Sequence, residues 1–259
     1  MIKVLFMGRK PVAAKCLNWL LDNEDVEVVG VLTDSHLSLS PTQDGAKDVG
    51  IPVYEYSEAL SLMKKGALTF DLGVSMLYWK KLKDEFLAIP KLGVINFHPA
   101  PLPEYKGTAG YNLAILESLS EWAATAHYID ENIDTGNIIK VQSFPICSET
   151  ETAKSLEKTS QAVLFDLFID IFSKVLSAET RLPSFSNIGG RYVSRSEMEK
   201  MKQIKEGDDI PRKIRAFWFP PYDGAFIMIN DQKYTLIDHS ILSMLADPST
   251  SNLFTKPTN

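Results

Sequence analysis

Asn96, His98 and Asp134 have the side-chain types and the spacing for acyl transfer to an amine. Asn96 and His98 stand two residues apart in Val94-Ile95-Asn96-Phe97-His98-Pro99, an apolar run that reads as a strand, so the pleat turns both to one face. Pro99, Pro101 and Pro103 bar a helix directly afterwards and stiffen the chain's exit from the strand. A neutral amide can donate to a carbonyl oxygen as negative charge builds there, which is worth about 3 kcal/mol in comparable sites. An imidazole, with an ordinary pKa of about 6.5, can take a proton from an attacking amine and return one to the leaving nitrogen. Such help is worth roughly a hundredfold to ten-thousandfold in rate. A second strand, 123–128, runs into the loop Ile129-Asp130-Glu131-Asn132-Ile133-Asp134-Thr135-Gly136. That loop brings Asp134 back to the same sheet edge, where its carboxylate would fix the imidazole tautomer and stabilise the charged ring.

The elements that must position these residues alternate. Strands are expected at 2–7, 26–32, 51–54, 72–77 and 94–97, with helices at 12–23, 59–68, 82–87 and 110–118. A polar loop spans 33–44. Alternation of this kind predicts an α/β fold, a doubly wound and mostly parallel sheet, whose chemistry sits at the carboxyl ends of the strands. Strands 123–128 and 137–144 read as a partly antiparallel extension. The longest helical pattern is 152–176, with Leu156, Val163, Leu164, Leu167 and Ile171 at helical period. The Ser- and Gly-rich stretch 184–190 reads as a linker. A short helix at 197–204, a helix at 209–217 and a hairpin turning at Asn230-Asp231 follow. We divide the chain into a catalytic domain at 1–183, a small module at 184–247 and a flexible tail at 248–259.

The 259 residues are 45% hydrophobic and carry a net charge of -6. An acidic chain argues against a general nucleic-acid partner. Cys16 and Cys147 are too few and too far apart for a disulfide framework or a zinc site, so no metal is expected and a reducing, cytoplasmic setting is. No apolar run approaches the roughly 18 residues needed to cross a bilayer. Gly8 is followed by Arg9-Lys10-Pro11, so the dinucleotide glycine fingerprint is missing and the turn instead offers two cations at the sheet edge. His36 and His239 read as surface residues. His127, on the strand before Tyr128, reads as structural packing, with a place against the site as the alternative.

The motifs Asn96-Phe97-His98-Pro99, Leu102-Pro103-Glu104-Tyr105-Lys106-Gly107, Ala126-His127-Tyr128-Ile129-Asp130 and Asp134-Thr135-Gly136-Asn137-Ile138 resemble those of formyltransferases that use N10-formyltetrahydrofolate. The resemblance covers about residues 1–180 and implies a Rossmann-like catalytic domain. It also implies that Asn96, His98 and Asp134 form a catalytic triad. Pro99-Ala100 stands where many members have Gly-Ser or Pro-Ser, and Lys106 where Arg is common. The pterin of the folate would lie between two loops, against Tyr78, Trp79 and Leu82 on one side and Ile129, Asp130 and Asn132 on the other.

Segment 214–225, Ile-Arg-Ala-Phe-Trp-Phe-Pro-Pro-Tyr-Asp-Gly-Ala, resembles the short C-terminal module of sugar N-formyltransferases. The implied acceptor is a dTDP-, UDP- or GDP-linked amino sugar destined for a surface polysaccharide such as an O-antigen. Trp218, Phe219 and Tyr222 would stack the base, and Arg9, Lys80 and Arg215 would meet the diphosphate. Lys10 and Tyr105 complete the expected acceptor side. The exposed hairpin edge suggests a homodimer. The alternatives are a formyltetrahydrofolate hydrolase, a methionyl-tRNA or glycinamide ribonucleotide formyltransferase, and a non-catalytic nucleotide-sugar binder.

Overall fold

The computed structural model describes residues 1–34, 39–178 and 180–245; His36 and the tail expected from residue 248 lie outside them. In chain order the first elements are β1 (Ile2–Gly8), α1 (Lys10–Leu21), β2 (Val26–Leu32), α2 (Pro41–Asp48), α3 (Tyr56–Lys64), β3 (Leu72–Met76), α4 (Asp84–Leu87) and β4 (Val94–His98). Next come β5 (Tyr105–Gly107), α5 (Gly110–Leu116), β6 (Glu121–Tyr128), β7 (Ile138–Pro145) and α6 (Ala153–Ala178). The chain continues with β8 (Arg191–Val193), α7 (Arg195–Met201), α8 (Ile210–Phe217), β9 (Phe226–Ile229), β10 (Gln232–Thr235) and α9 (His239–Leu245).

The main sheet has the order β2-β1-β3-β4-β6-β7. β1 to β4 are parallel, while β6 runs antiparallel to both β4 and β7. Alternate residues of each strand feed opposite faces. Val4, Phe6, Val74, Ile95 and Phe97 pack with α1 and α6 on one side. Leu5, Met7 and Val94 pack with α3 and α4 on the other. Helices on both faces make the fold doubly wound, as expected. Phe97, between Asn96 and His98, is buried edge-on against Phe168 of α6 with ring centroids 5.4 Å apart. Burying a phenylalanine of that kind stabilises by about 1.5–3 kcal/mol, which anchors β4 by the residue that does no chemistry.

Three local expectations change. The strand expected at 51–54 makes one bridge, Val53 to Val31, through Val31 N–H to Pro52 O at 3.0 Å and Tyr54 N–H to Val31 O at 2.9 Å. Pro52 has no N–H with which to extend a ladder. The last four residues of the loop expected at 33–44 are helical: Ser40 caps α2 by accepting from Gln43 N–H at 3.3 Å, with Pro41 in the first turn. Segment 184–190 is a hydrogen-bonded strap rather than a free linker. Phe185 exchanges two 2.9 Å backbone hydrogen bonds with Ile138, and the strap leads into β8, which pairs in parallel with β5. Gly190, at φ +69°, lies so close to Pro103 that a Cβ would sit 1.6 Å from its carbonyl oxygen. The glycine that reads as flexibility in sequence is a requirement of contact.

The C-terminal elements share a core with the first part of the chain. Ile115 of α5 is buried with Ile214, Phe217, Ala225 and Ile241. The buried Asn112 Nδ2 donates to Ala216 O at 2.6 Å, tying α5 to α8. The hairpin β9–β10 turns on Asn230 and Asp231, both at positive φ, and its strands are largely exposed. Asn112→Ala is expected to lower the unfolding free energy by about 1–3 kcal/mol in urea titrations, because it strips a buried carbonyl of its donor; an unchanged midpoint would show that this contact does not join the two parts.

Candidate active site

Strand register brings the polar side chains together. Asn96 of β4 stands opposite Ser75 of β3 on one side and opposite His127 of β6 on the other, in a single row across three strands. Ser75 Oγ–H donates to Asn96 Oδ1 at 2.8 Å. His127 Nδ1 lies 2.8 Å from Tyr128 O, and a carbonyl only accepts, so the proton of this ring is on Nδ1. His127 Nε2 therefore accepts from Asn96 Nδ2 at 3.0 Å. One amide hydrogen of Asn96 remains for another acceptor. Burial pushes the pKa of His127 well below the ordinary imidazole value, and the nearby Asp134 carboxylate opposes this only in part. The neutral ring is the state the hydrogen bonds require. A free imidazole titrates at about 6.5, so below that pH the unfolded chain binds a proton the folded ring resists; His127 costs stability there and none at higher pH.

Two pairs further along the same ladder, Thr125 of β6 stands opposite His98. Thr125 Oγ–H donates to Ala100 O at 2.7 Å, and Leu102 N–H donates to Thr125 Oγ1 at 3.2 Å, which pins the proline-rich exit of β4. That exit returns Tyr105 O to 2.8 Å from His98 Nε2, so Nε2 carries the proton and donates. Nδ1 is then the nitrogen that can exchange a proton, and it lies 3.6 Å from Asp134 Oδ2. The Tyr105 carbonyl, rather than Asp134 as expected, sets the tautomer. Asp134 is placed to stabilise the ring once charged. Its own backbone is in the left-handed region at φ +56°, its Oδ2 accepts from Gly107 N–H at 2.9 Å, and Oδ1 lies 3.7 Å from His127 Nε2. Gly136 closes the loop where a Cβ would sit 1.9 Å from Tyr128 O, which explains the Asp-Thr-Gly sequence.

The three side chains line a cavity of about 360 Å³. All six residues expected on the folate side line it as well: Tyr78, Trp79, Leu82, Ile129, Asp130 and Asn132. Leu77 and Ile133 add to its apolar wall. Asp130 holds its own loop, accepting from Asn132 N–H and Thr135 Oγ–H. Arg9, Lys10 and Lys80 line the cavity too, but their charges are partly spoken for. Lys10 is ion-paired with the buried Glu157, Lys80 lies 3.6 Å from Glu55, and Arg9 Nε donates to Leu77 O at 2.9 Å with its guanidinium over Trp79.

Tyr105, Arg215, Trp218 and Tyr222 lie outside the lining. The Tyr105 hydroxyl donates to Glu117 at 2.6 Å and its ring rests against Trp122. Arg215 donates to Ser148 O at 3.4 Å, and half-buried Trp218 packs with the C-terminal core. Tyr222 is exposed beside Arg195. The positions of Arg215, Trp218 and Tyr222 follow from helix α8, which turns Ile214 and Phe217 inward and is capped by Trp218. Phe219 is the one of the expected aromatic set that meets a lining residue, Lys10, at 5.6 Å. Ser75, Tyr111 and Tyr192 line the cavity and were not anticipated. Pairing the expected strands residue by residue would have found Ser75; no sequence signal points to Tyr192.

A family model described as formyl transferase matches residues 2–170. The chain belongs to the formyl transferase family. Methionyl-tRNA formyltransferase of Listeria innocua serovar 6a is 29% identical over 248 residues, covering 91% of this chain and 78% of that one. An N-formyltransferase from Helicobacter canadensis, solved in complex with folinic acid and dTDP-3-aminofucose, superposes with a TM-score of 0.71 at 26% identity, covering 90% of this chain and 86% of that chain. A 4-N formyltransferase from Francisella tularensis shares the fold with a TM-score of 0.74 at 19% identity, covering 91% and 96%. The row Ser75–Asn96–His127 fixes the Asn96 amide with one N–H left unused. Correlation spectra of the ring nitrogens near pH 6.5, where a free imidazole is about half charged, are expected to show His127 neutral and protonated on Nδ1. An imidazolium signal at that pH would contradict the network.

Proposed function

We propose that this formyl transferase moves the formyl group of N10-formyltetrahydrofolate to the amino group of a nucleotide-linked amino sugar, through Asn96, His98 and Asp134. The observation that carries the proposal is one cavity lined by that triad, by the apolar side chains Tyr78, Trp79, Leu82 and Ile129, and by the cations Arg9, Lys10, Lys80 and Lys81. Tyr78, Trp79, Leu82 and Ile129 suit the planar rings of a folate, and the turn backbone at 129–134 offers groups for a pterin edge. The folate supplies the formyl carbon.

Asn96 turns its remaining amide hydrogen to the formyl oxygen as that atom gains charge, a contribution of about 3 kcal/mol. His98 Nδ1 takes the proton that the attacking amine sheds and returns it to the nitrogen that leaves. Asp134, at 3.6 Å, stabilises His98 while it is charged. The neutral His127 keeps the amide in register throughout.

The acceptor side favours a compact anion. Arg9 and Lys81 line the cavity without a carboxylate partner among the described residues, while the chain as a whole has a net charge of -6. A local pair of cations on an acidic protein suits a diphosphate better than the extended backbone of a tRNA. Phe219, with Lys10 at 5.6 Å and Lys154 at 5.2 Å over its ring, is the aromatic placed to meet a base or sugar. The fold shared with the Helicobacter canadensis enzyme, which binds dTDP-3-aminofucose, supports the same acceptor class, with a dTDP sugar the first to try. Identity to methionyl-tRNA formyltransferase over most of the chain makes that acceptor the second reading.

The test offers N10-formyltetrahydrofolate with dTDP-, UDP- and GDP-linked amino sugars, and separately with methionyl-tRNA. Formylation of one sugar nucleotide, lost in His98→Ala, is expected. Formylation of methionyl-tRNA alone would replace the acceptor. Tetrahydrofolate release that needs no acceptor would make the protein a hydrolase. Phe219→Ala is expected to raise the KM for the sugar nucleotide about tenfold while leaving the KM for the folate unchanged, as loss of one aromatic contact would.

A further inference from the structure

We propose that Asn187, in the strap between α6 and β8, is a positioning residue for formyl transfer that acts by holding the backbone around Asp134. The inference rests on the His98–Asp134 chemistry proposed above. Asn187 is 6% exposed, and its Nδ2 donates to Asp134 O at 3.0 Å and to Gly136 O at 2.9 Å. Both partners are carbonyls, so both bonds consume amide hydrogens and the orientation of the amide is determined. Its Oδ1 is buried with no hydrogen-bond partner. A buried orphan oxygen is unfavourable, and its presence marks the donor end as the part the fold uses.

What the amide holds is a strained turn. Asp134 is a non-glycine residue at φ +56°, a conformation that persists where the surroundings impose it. Gly107 N–H restrains its carboxylate, and Asn187 restrains its carbonyl and the carbonyl two residues on. The strap also bears on the other half of the site. Lys106 Nζ donates to Gly189 O at 2.7 Å and Asn187 O at 3.4 Å, and Gly190 abuts Pro103 O. β8 pairs with β5, which contributes the Tyr105 carbonyl that holds His98. One segment thus sets both sides of the 3.6 Å gap between His98 and Asp134.

The experiment follows formyl transfer from N10-formyltetrahydrofolate to the amino-sugar nucleotide that the wild type turns over. Asn187→Ala is expected to lower kcat about 10–100-fold, with both KM values within about twofold, as displacement of a catalytic group would. Asn187→Asp, which sets a carboxylate against two carbonyls, is expected to cost more. In the D134N background, Asn187→Ala is expected to cost less than about twofold, because a residue that acts through Asp134 then has nothing left to place. Equal losses in both backgrounds, or a loss carried by KM, would overturn the proposal. A second arm needs no acceptor: in spectra of the free protein, Asn187→Ala is expected to shift the ring nitrogens of His98 and leave the indole N–H of Trp122 in place. Unmoved His98 signals would overturn the proposal, and a moved indole would assign Asn187 to general packing instead. Should Asn187→Ala not fold, Lys106→Met is read in the same two arms, with the same directions. A wild type that transfers nothing, or His98→Ala that transfers normally, removes the reaction proposed above and leaves the spectra to decide the positioning role.

Discussion

An amide has a donor end and an acceptor end, and the chemistry proposed for this sheet edge depends on which of them Asn96 presents. Ser75 supplies a proton to its oxygen, and His127, neutral and protonated on the far nitrogen, accepts one from its nitrogen. Either contact alone contributes about 1 kcal/mol, and together they exclude the flipped amide, which would face an acceptor with an acceptor. The row exists because β3, β4 and β6 place residues 75, 96 and 127 opposite one another. A slip of one residue in any of the three would turn its member into the core. Burial of His127 is therefore part of the device: a ring that stayed charged near neutrality would have no lone pair for Asn96.

The same logic of borrowed backbone runs through the rest of the site. His98 receives its tautomer from the Tyr105 carbonyl, and Asp134 receives its position from Gly107 N–H. Both donors of position lie in or beside β5, a three-residue strand whose partner β8 belongs to the C-terminal part of the chain. The C-terminal part is also joined through Ile115 and Asn112 of α5, the helix that follows β5. The C-terminal part and the strand that positions His98 and Asp134 are thus joined by direct contacts.

The regular parts of this structure were legible in the sequence because their signals are local. Apolar runs gave β1, β2, β3 and β4, and helical period gave α1 and α6. The strand alternation at Asn96 and His98 and the return loop to Asp134 placed three side chains in one cavity, together with all six residues expected on the folate side. The losses are of contacts that no local pattern encodes. β5 and β8 are three residues each, and their paired residues, such as Gly107 and Val193, lie 86 positions apart, too short and too distant for periodicity to announce. The Ser- and Gly-rich strap carries the composition of a linker, yet Gly190 is small because Pro103 is against it. Trp218 and Tyr222 have the composition of a stacking platform, and the end of α8 sends them elsewhere.

The measurement that bears most directly on this account is the single-turnover rate of formyl transfer in Asn96→Asp. The change keeps size and shape, and replaces the amide hydrogens that serve His127 and the formyl oxygen with a lone-pair edge. The account predicts unchanged folate binding and a rate lower by at least about a hundredfold, the scale set by loss of one oxyanion donor. A rate within about threefold of wild type would contradict it, because that is less than 1 kcal/mol and leaves the amide of Asn96 no part in the transfer.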